Sequence, residues 1–493
     1  MEDNFYKNSF LLTLSNITTG ILGFIFSIIL SRQLGPEGMG LYGLIMPLYN
    51  LFICIICGGV ITAISKLSAT FYDNRDYYNL RKTIRTTFVF NILWAILIAS
   101  LVFIFAPKMA LYFIKDSRTT LALKIITPAM VFICLSNIFK GFFYGISKIM
   151  IPAIIDIVEK GLRIFIIIAL VNYFSIKSVT ASVTAAYIAL AIGEFISLLL
   201  LYIYYKKNSA PLRGVYQYKE GRAQLIFNVL IISIPLCING LITTALDALA
   251  TLILPRRLLV SGIEHSVALG IIGKFAGMSM SIVFFPMIVI ASISTLLIPN
   301  LSQIINKKDY YLASVRIKEV LRIALILGLC TLAIALNIPE DLGFMFYKRT
   351  DLASYIASAA LCAPIFYVAN CTLGILNGLG KQNIILKNSV LASCLDLLIL
   401  YIFAALPRIN IYAYVIGTIA SSFLMLVLNF IEINKNLKLD ISFLNLLYTI
   451  LIGILCYFVL KLFVLYFPLV PKFLCIIIGF SFVPLSLIRI SKN

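Results

Sequence analysis

The chain has 493 residues, 61% of them hydrophobic and only 12% charged, with 40 Lys and Arg against 20 Asp and Glu for a formal net charge of +20. A mean hydropathy of +1.04 excludes a water-soluble domain, in which about a quarter of residues are charged. The basic excess sits in alternate connections between apolar runs instead of in one patch, which argues for a membrane and against a nucleic-acid partner.

Apolar runs of helical length follow one another along the whole chain. The first six are 10–31, 41–65, 86–106, 121–145, 152–172 and 178–205. Six more follow at 225–254, 266–299, 317–338, 353–379, 384–406 and 411–431, and two close the series at 444–467 and 469–488. These are too long for the roughly ten-residue alternating strands of an outer-membrane barrel. The expected fold is an all-α integral membrane protein of about 14 transmembrane helices. The first run follows MEDNFYKNS, shows no small-residue cleavage site before Arg32 and leads at once into another apolar run, so it reads as a retained helix and not a signal peptide.

The second-to-third connection carries Arg75, Arg81, Lys82 and Arg85, and the sixth-to-seventh Lys206, Lys207, Arg213, Lys219 and Arg222. The eighth-to-ninth carries Lys307, Lys308, Arg316, Lys318 and Arg322. Opposite connections are poorer, with Lys108, Lys115 and Arg118, then Arg256 and Arg257, then Lys348 and Arg349. The asymmetry predicts that the basic connections are cytoplasmic, and an even helix count puts both termini on that side.

The sequence matches itself at one offset. Asp76-Tyr77-Tyr78 recurs as Asp309-Tyr310-Tyr311, and Gly141, Gly145 and Lys148 recur as Gly374, Gly378 and Lys381, each pair 233 residues apart. The expected organisation is two homologous six-helix lobes in the same orientation, residues 1–205 and 206–432, with two additional helices in 433–493.

Little here points to catalysis. The ten cysteines lie almost wholly in apolar runs, the close pair Cys54 and Cys57 within one of them, and the single histidine, His265, has no metal-ligating set around it. The nearest approach to a nucleotide loop, Gly270 to Lys274, lacks both the spacing and the hydroxyl residue. Transport outranks enzymatic chemistry, and no cofactor is expected.

Ionisable residues at membrane depth are therefore the candidate sites. Lys66 and Lys140 fall near helix ends, where they can snorkel, and Arg32 lies at an outer end. The fifth run reads IPAIIDIVEKGLRIF, so that Asp156 and Lys160, and Glu159 and Arg163, stand four residues apart on one face. That pattern is either an ion-pair ladder or a way of presenting Arg163 to a cavity. Glu194, Asp247 and Asp396 lack partners on their own helices and are candidates to pair with Arg163 or Lys274, or to bind a coupling H+ or Na+. Lys274 lies about 13 Å inside its helix among Gly270, Gly277, Met278 and Ser281, a setting with room for a substrate.

LSRQLGPEGMGLYGL, GGVITAISKLSA, IVEKGLRI, ALDALATLILPRRLLVSG and GKFAGMSMSIVFFPMIVIASISTLLIPNLSQ resemble the stage V sporulation protein B family. That family lies in the superfamily of multidrug exporters, oligosaccharide-lipid flippases and lipid II flippases. The resemblance implies two lobes of six helices, alternating access and export of a lipid-linked precursor of spore-cortex peptidoglycan, which would place the chain in the bacterial plasma membrane; cell-wall synthesis enzymes are candidate partners. Lipid II flippases of the superfamily hold the pyrophosphate with arginines in their first two helices. Here the first helix has Asn16, Thr18 and Thr19 and no arginine before Arg32, which leaves Arg163, Lys274 and Arg32 to supply the cationic surface. The alternatives are a cation-coupled drug exporter of the same fold, using Asp247, Glu194 or Asp396, and a non-transporting scaffold for cell-wall enzymes.

Overall fold

The computed structural model describes residues 2–173, 178–209, 220–437, 439, 443–467 and 470–487, and every regular element among them is helical. Arg213 and Lys219 lie outside the described residues. The chain divides into two compact units, Met1–Leu252 and Ile253–Asn493.

In the first unit, α1 (Glu2–Cys57) consists of two helical arms joined at Gly35, the first covering the first apolar stretch and the second most of the next. It is bent at Gly35, whose φ of 68° and ψ of −179° suit glycine alone, and Pro36 follows without an N–H to donate. A second glycine of positive φ, Gly59 at 75°, separates α1 from α2 (Val60–Asp73). Next come α3 (Tyr77–Lys108), a π-helical turn at Met109–Ile114, α4 (Thr120–Gly145), α5 (Met150–Tyr173) and α6 (Val179–Ser209). The core forms around α4, which packs on α2, α3 and α6 and buries Ile126, Met130, Ile138, Phe142 and Phe143. α5 packs on α1 and α6. The boundary of the units falls within α7 (Arg222–Val260).

The second unit continues with α8 (His265–Phe284), which contains a π-helical turn at Gly273–Ser279, then α9 (Met287–Asn306), α10 (Tyr310–Asn337) and the short α11 (Pro339–Tyr347). After these come α12 (Ala353–Ala360), α13 (Ala363–Gly378), α14 (Gln382–Phe403) and α15 (Ala413–Leu437). The last two helices, α16 (Phe443–Tyr466) and α17 (Phe473–Leu487), both dock on α10. Gly453 is seated on Leu329 and Gly479 on Ile334, where a side chain would collide.

Eleven described helices are long and apolar enough to cross a membrane, or twelve if α12 and α13, bent by 48°, count as one span. The expected count of 14 is not reached by this measure, and each difference has a cause. The first two runs fall in one stretch of 61 residues, Thr13–Asp73, which counts once although Gly35 interrupts it with a non-helical backbone. α5 carries Asp156, Glu159, Lys160 and Arg163 within 24 residues, and α17 has only 15. In the other direction, the single run 266–299 is divided at Phe285–Pro286 into α8 and α9. Pro286 and Pro364 thus lie at breaks, whereas Pro47 and Pro128 lie inside continuous helices. Side chains such as Leu93, Ile104, Phe165 and Leu398 are more than half exposed, as lipid-facing positions require.

The 233-residue offset recurs in the local geometry. Asp76 caps α3 by accepting from Asn79 N at 3.1 Å, and Asp309 caps α10 by accepting from Leu312 N at 3.0 Å. Each is preceded by a residue of positive φ, Arg75 at 56° and Lys308 at 59°. Gly141 and Gly145 let α4 close on Ile61, Ser65 and Ser68 of α2. Gly374 and Gly378 let α13 close on Ser294, Ile298 and Leu301 of α9, which are the same positions displaced by 233. The repeated residues are those that set helix caps and close helix crossings, positions where few residue types fit.

Candidate functional site

In the first unit, α5 presents Arg163 and Glu159 one turn apart, and α6 brings Glu194 against them. Arg163 Nη2 donates to the Glu159 carboxylate and, at 3.2 Å, to Glu194 Oε1. Both carboxylates are buried, at 6% and 8% exposure, and the Phe26 ring of α1 lies 5.8 Å from the guanidinium carbon. Gly193 makes the approach feasible, since a Cβ there would stand 2.9 Å from Glu159 Oε1. A guanidinium facing two carboxylates in this setting is held firmly; removing it would strand two buried charges.

Asp156 takes a different partner from the one its spacing predicts. Its Oδ1 is 2.7 Å from Lys140 Nζ of α4, so the Asp156–Lys160 rung of the ladder is replaced by a bridge between helices. The reason is geometric: α4 carries an ammonium directly to Asp156, whereas an i,i+4 pair must hold two side chains along one helix for a few tenths of a kcal/mol. For the same reason Lys140 does not snorkel; its side chain is 16% exposed and is tied inward. Lys160 remains half-buried on α5 next to these groups. Asp156, Glu159 and Glu194 are thus balanced by Lys140, Lys160 and Arg163.

Two polar atoms in this neighbourhood keep hydrogen-bonding capacity. Arg163 Nε and Tyr49 Oη are buried and have no hydrogen-bond partner among the described residues, and Tyr49 lies within electrostatic range of both Arg163 and Glu194. Tyr49, on α1, went unnoticed in the sequence because a tyrosine in an apolar run looks like any other aromatic. Arg32 is exposed, just ahead of the bend at Gly35.

In the second unit the expected partners of Lys274 were Asp247 or Asp396. The structure corrects this: Lys274 Nζ is 2.7 Å from Asp351 Oδ2, in the connection between α11 and α12. Arg349 grips the same carboxylate with both Nε and Nη2 at 2.8 Å. These hydrogen bonds, Arg349's foremost and Lys274's after it, hold the Asp351 carboxyl below the usual carboxylate range. Asp351 was missed because its connection drew attention only for its basic residues, although an Asp two residues after an Arg was legible there. Lys274 is the second residue of the π-helical turn, whose Ser279 Oγ donates to the Lys274 carbonyl at 2.9 Å. Asp396 of α14 lies against Gly417 of α15, and Asp247 of α7 is exposed and forms no ion pair among the described residues.

The helical architecture has counterparts among solved transporters. A structure of the lipid II flippase MurJ in an inward closed conformation matches 97% of this chain and 98% of its own, with a TM-score of 0.71 and 14% identity. An inward-facing multidrug resistance MATE family transporter of the MOP superfamily matches 86% of this chain and 96% of its own, with a TM-score of 0.66 and 14% identity. At these identities the likeness is one of fold. In sequence, stage V sporulation protein B of Bacillus subtilis (strain 168) is 22% identical over 461 residues, which cover 93% of this chain and 89% of that protein. The chain is a multi-pass membrane protein with the fold of MOP-superfamily transporters, and with the polysaccharide biosynthesis protein model matching residues 5–305, it belongs to that family.

Proposed function

We propose that this protein is a flippase of the bacterial plasma membrane that moves a lipid-linked oligosaccharide, of the peptidoglycan-precursor class that includes lipid II, by alternating access. The observation that carries this reading is the reach of the fold likeness, which extends over 97% of the chain for the lipid II flippase and 86% for the drug exporter. Arg163 and Tyr49 support the same reading, because their unpartnered donors match the acceptor oxygens of a pyrophosphate or sugar. Of the three cations expected at the substrate, Lys274 is already engaged by Asp351, Arg32 stands exposed, and Arg163 keeps a buried donor to offer.

Asp247 favours one element of the cation-coupled alternative. A carboxylate on a membrane helix with no ion pair among the described residues is a natural place for a proton or Na+ to bind, and we assign it to coupling. The test is native mass spectrometry of the purified protein, followed by flipping of a fluorescent polyprenyl-pyrophosphate disaccharide in vesicles. Co-purified polyprenyl-pyrophosphate lipid is expected, and Asp247→Asn is expected to remove the dependence on an ion gradient while downhill flipping persists. Absence of lipid, together with drug efflux that fails in Asp247→Asn, would replace this reading with the drug-exporter one.

A further inference from the structure

The 233-residue offset relates two ion-pair clusters that are alike in geometry and opposite in sign. In the first unit Arg118 grips Asp116 with a two-point fork, Nε to Oδ1 at 3.0 Å and Nη2 to Oδ2 at 2.7 Å, and reaches Glu37 Oε1 at 2.7 Å through Nη1. In the second unit Asp351 is gripped by Arg349 through a fork of 2.8 and 2.8 Å and reaches Lys274 at 2.7 Å. Arg118 and Asp351 are equivalent positions, as are Asp116 and Arg349, so donor and acceptor are exchanged at both. The residue ahead of each pair has a positive φ, Lys115 at 62° and Lys348 at 58°. The third members also correspond. Glu37 begins the arm of α1 beyond the Gly35 bend, and Lys274 lies one helical turn along from the position equivalent to Glu37, on α8.

We propose that these triads are one clamp built twice with inverted charge, each fastening the turn ahead of a core helix, α4 or α12, to another helix of its own unit, the arm of α1 beyond Gly35 or α8. Lys274 is then a positioning residue that fixes α8 to the 348–352 connection, and not a ligand of the headgroup. The inversion is informative in itself: a clamp works with either polarity as long as the three signs alternate, whereas a pyrophosphate ligand works with only one. An isolated half-exposed pair would be worth little, but a two-point fork that shares its central group with a third charge on another helix orders the turn and ties it to that helix at once.

The test uses the full chain in detergent and reads hydrogen exchange over residues 343–352. Lys274→Ala and Asp351→Asn should each raise exchange there about fivefold. The triple change Lys274→Glu, Arg349→Asp and Asp351→Arg, which copies the signs of the first unit, should bring it back to within about twofold of the parent. Arg118→Ala should do in 112–119 what Asp351→Asn does in 343–352. Exchange unchanged by the single substitutions, or left high by the inverted triad, would overturn the clamp. The second arm rests on the flippase reading: the inverted triad should still flip the fluorescent polyprenyl-pyrophosphate disaccharide. Restored exchange with flipping lost would show that Lys274 touches the headgroup, and would leave the flippase assignment standing.

Discussion

At the scale of single residues, the membrane-depth charges of this protein are partnered more fully than their positions along the chain announce. Arg163 is the clearest case, since it serves Glu159 on its own helix and Glu194 on the next. Arg163→Ala should therefore cost about 3–5 kcal/mol by stranding two buried carboxylates. The combined neutral variant Glu159→Gln, Arg163→Met, Glu194→Gln should recover most of that loss. Thermal unfolding of the two proteins decides it, and equal loss in both would show that the carboxylates are not coupled through the guanidinium. Asp351 supplies a pH signature. Its carboxyl is depressed in the folded protein, so its contribution is complete above the ordinary value of 3.8 and is lost as pH falls from there through the folded value. The deficit in melting temperature of Asp351→Asn should be constant from about pH 7 to 5 and should narrow below about pH 4. A deficit that instead grows in acid would contradict the depressed carboxyl.

At the scale of elements, the helices are held by close crossings that glycine permits, and the sequence displayed those crossings as the repeat. A Cβ at Gly145 would stand 2.5 Å from the Ser65 carbonyl, a backbone atom that cannot turn aside, while at Gly378 it would meet the movable Leu301 side chain at 3.1 Å. Gly145→Ala should cost about 1–3 kcal/mol by forcing α2 and α4 apart, and Gly378→Ala distinctly less. Gly161→Ala, with nothing within 4 Å on α5, should be neutral or stabilising by about 0.5–1 kcal/mol. Melting temperatures of the three variants rank them, and any other order would mean that the crossings relax. Helix boundaries were less legible, because hydropathy reports only where lipid or core begins. It placed an interruption between 31 and 41, where Gly35 has a non-helical backbone, but it could not tell that the apolar run 266–299 turns at Pro286.

At the scale of the whole molecule, the basic connections remain the argument for orientation, and we propose that both termini are cytoplasmic. A cysteine at the exposed position 311 should be labelled by an impermeant reagent only from the cytoplasmic side, and one at position 348 only from outside. Labelling of both from one side would overturn the assignment. Composition determined that the chain is an all-helical membrane protein, because water cannot solvate this much apolar surface and lipid leaves no partner for an open backbone. The self-match at 233 determined that two halves share one plan, since caps and close crossings tolerate few residues. Only the tertiary structure decided which charges meet. Asp156 goes to Lys140 on another helix instead of Lys160 on its own, and Lys274 goes to an aspartate 77 residues away instead of either expected carboxylate. Pairing depends on the rotation and depth of neighbouring helices to within an ångström or so, and a linear pattern of charges carries no record of either.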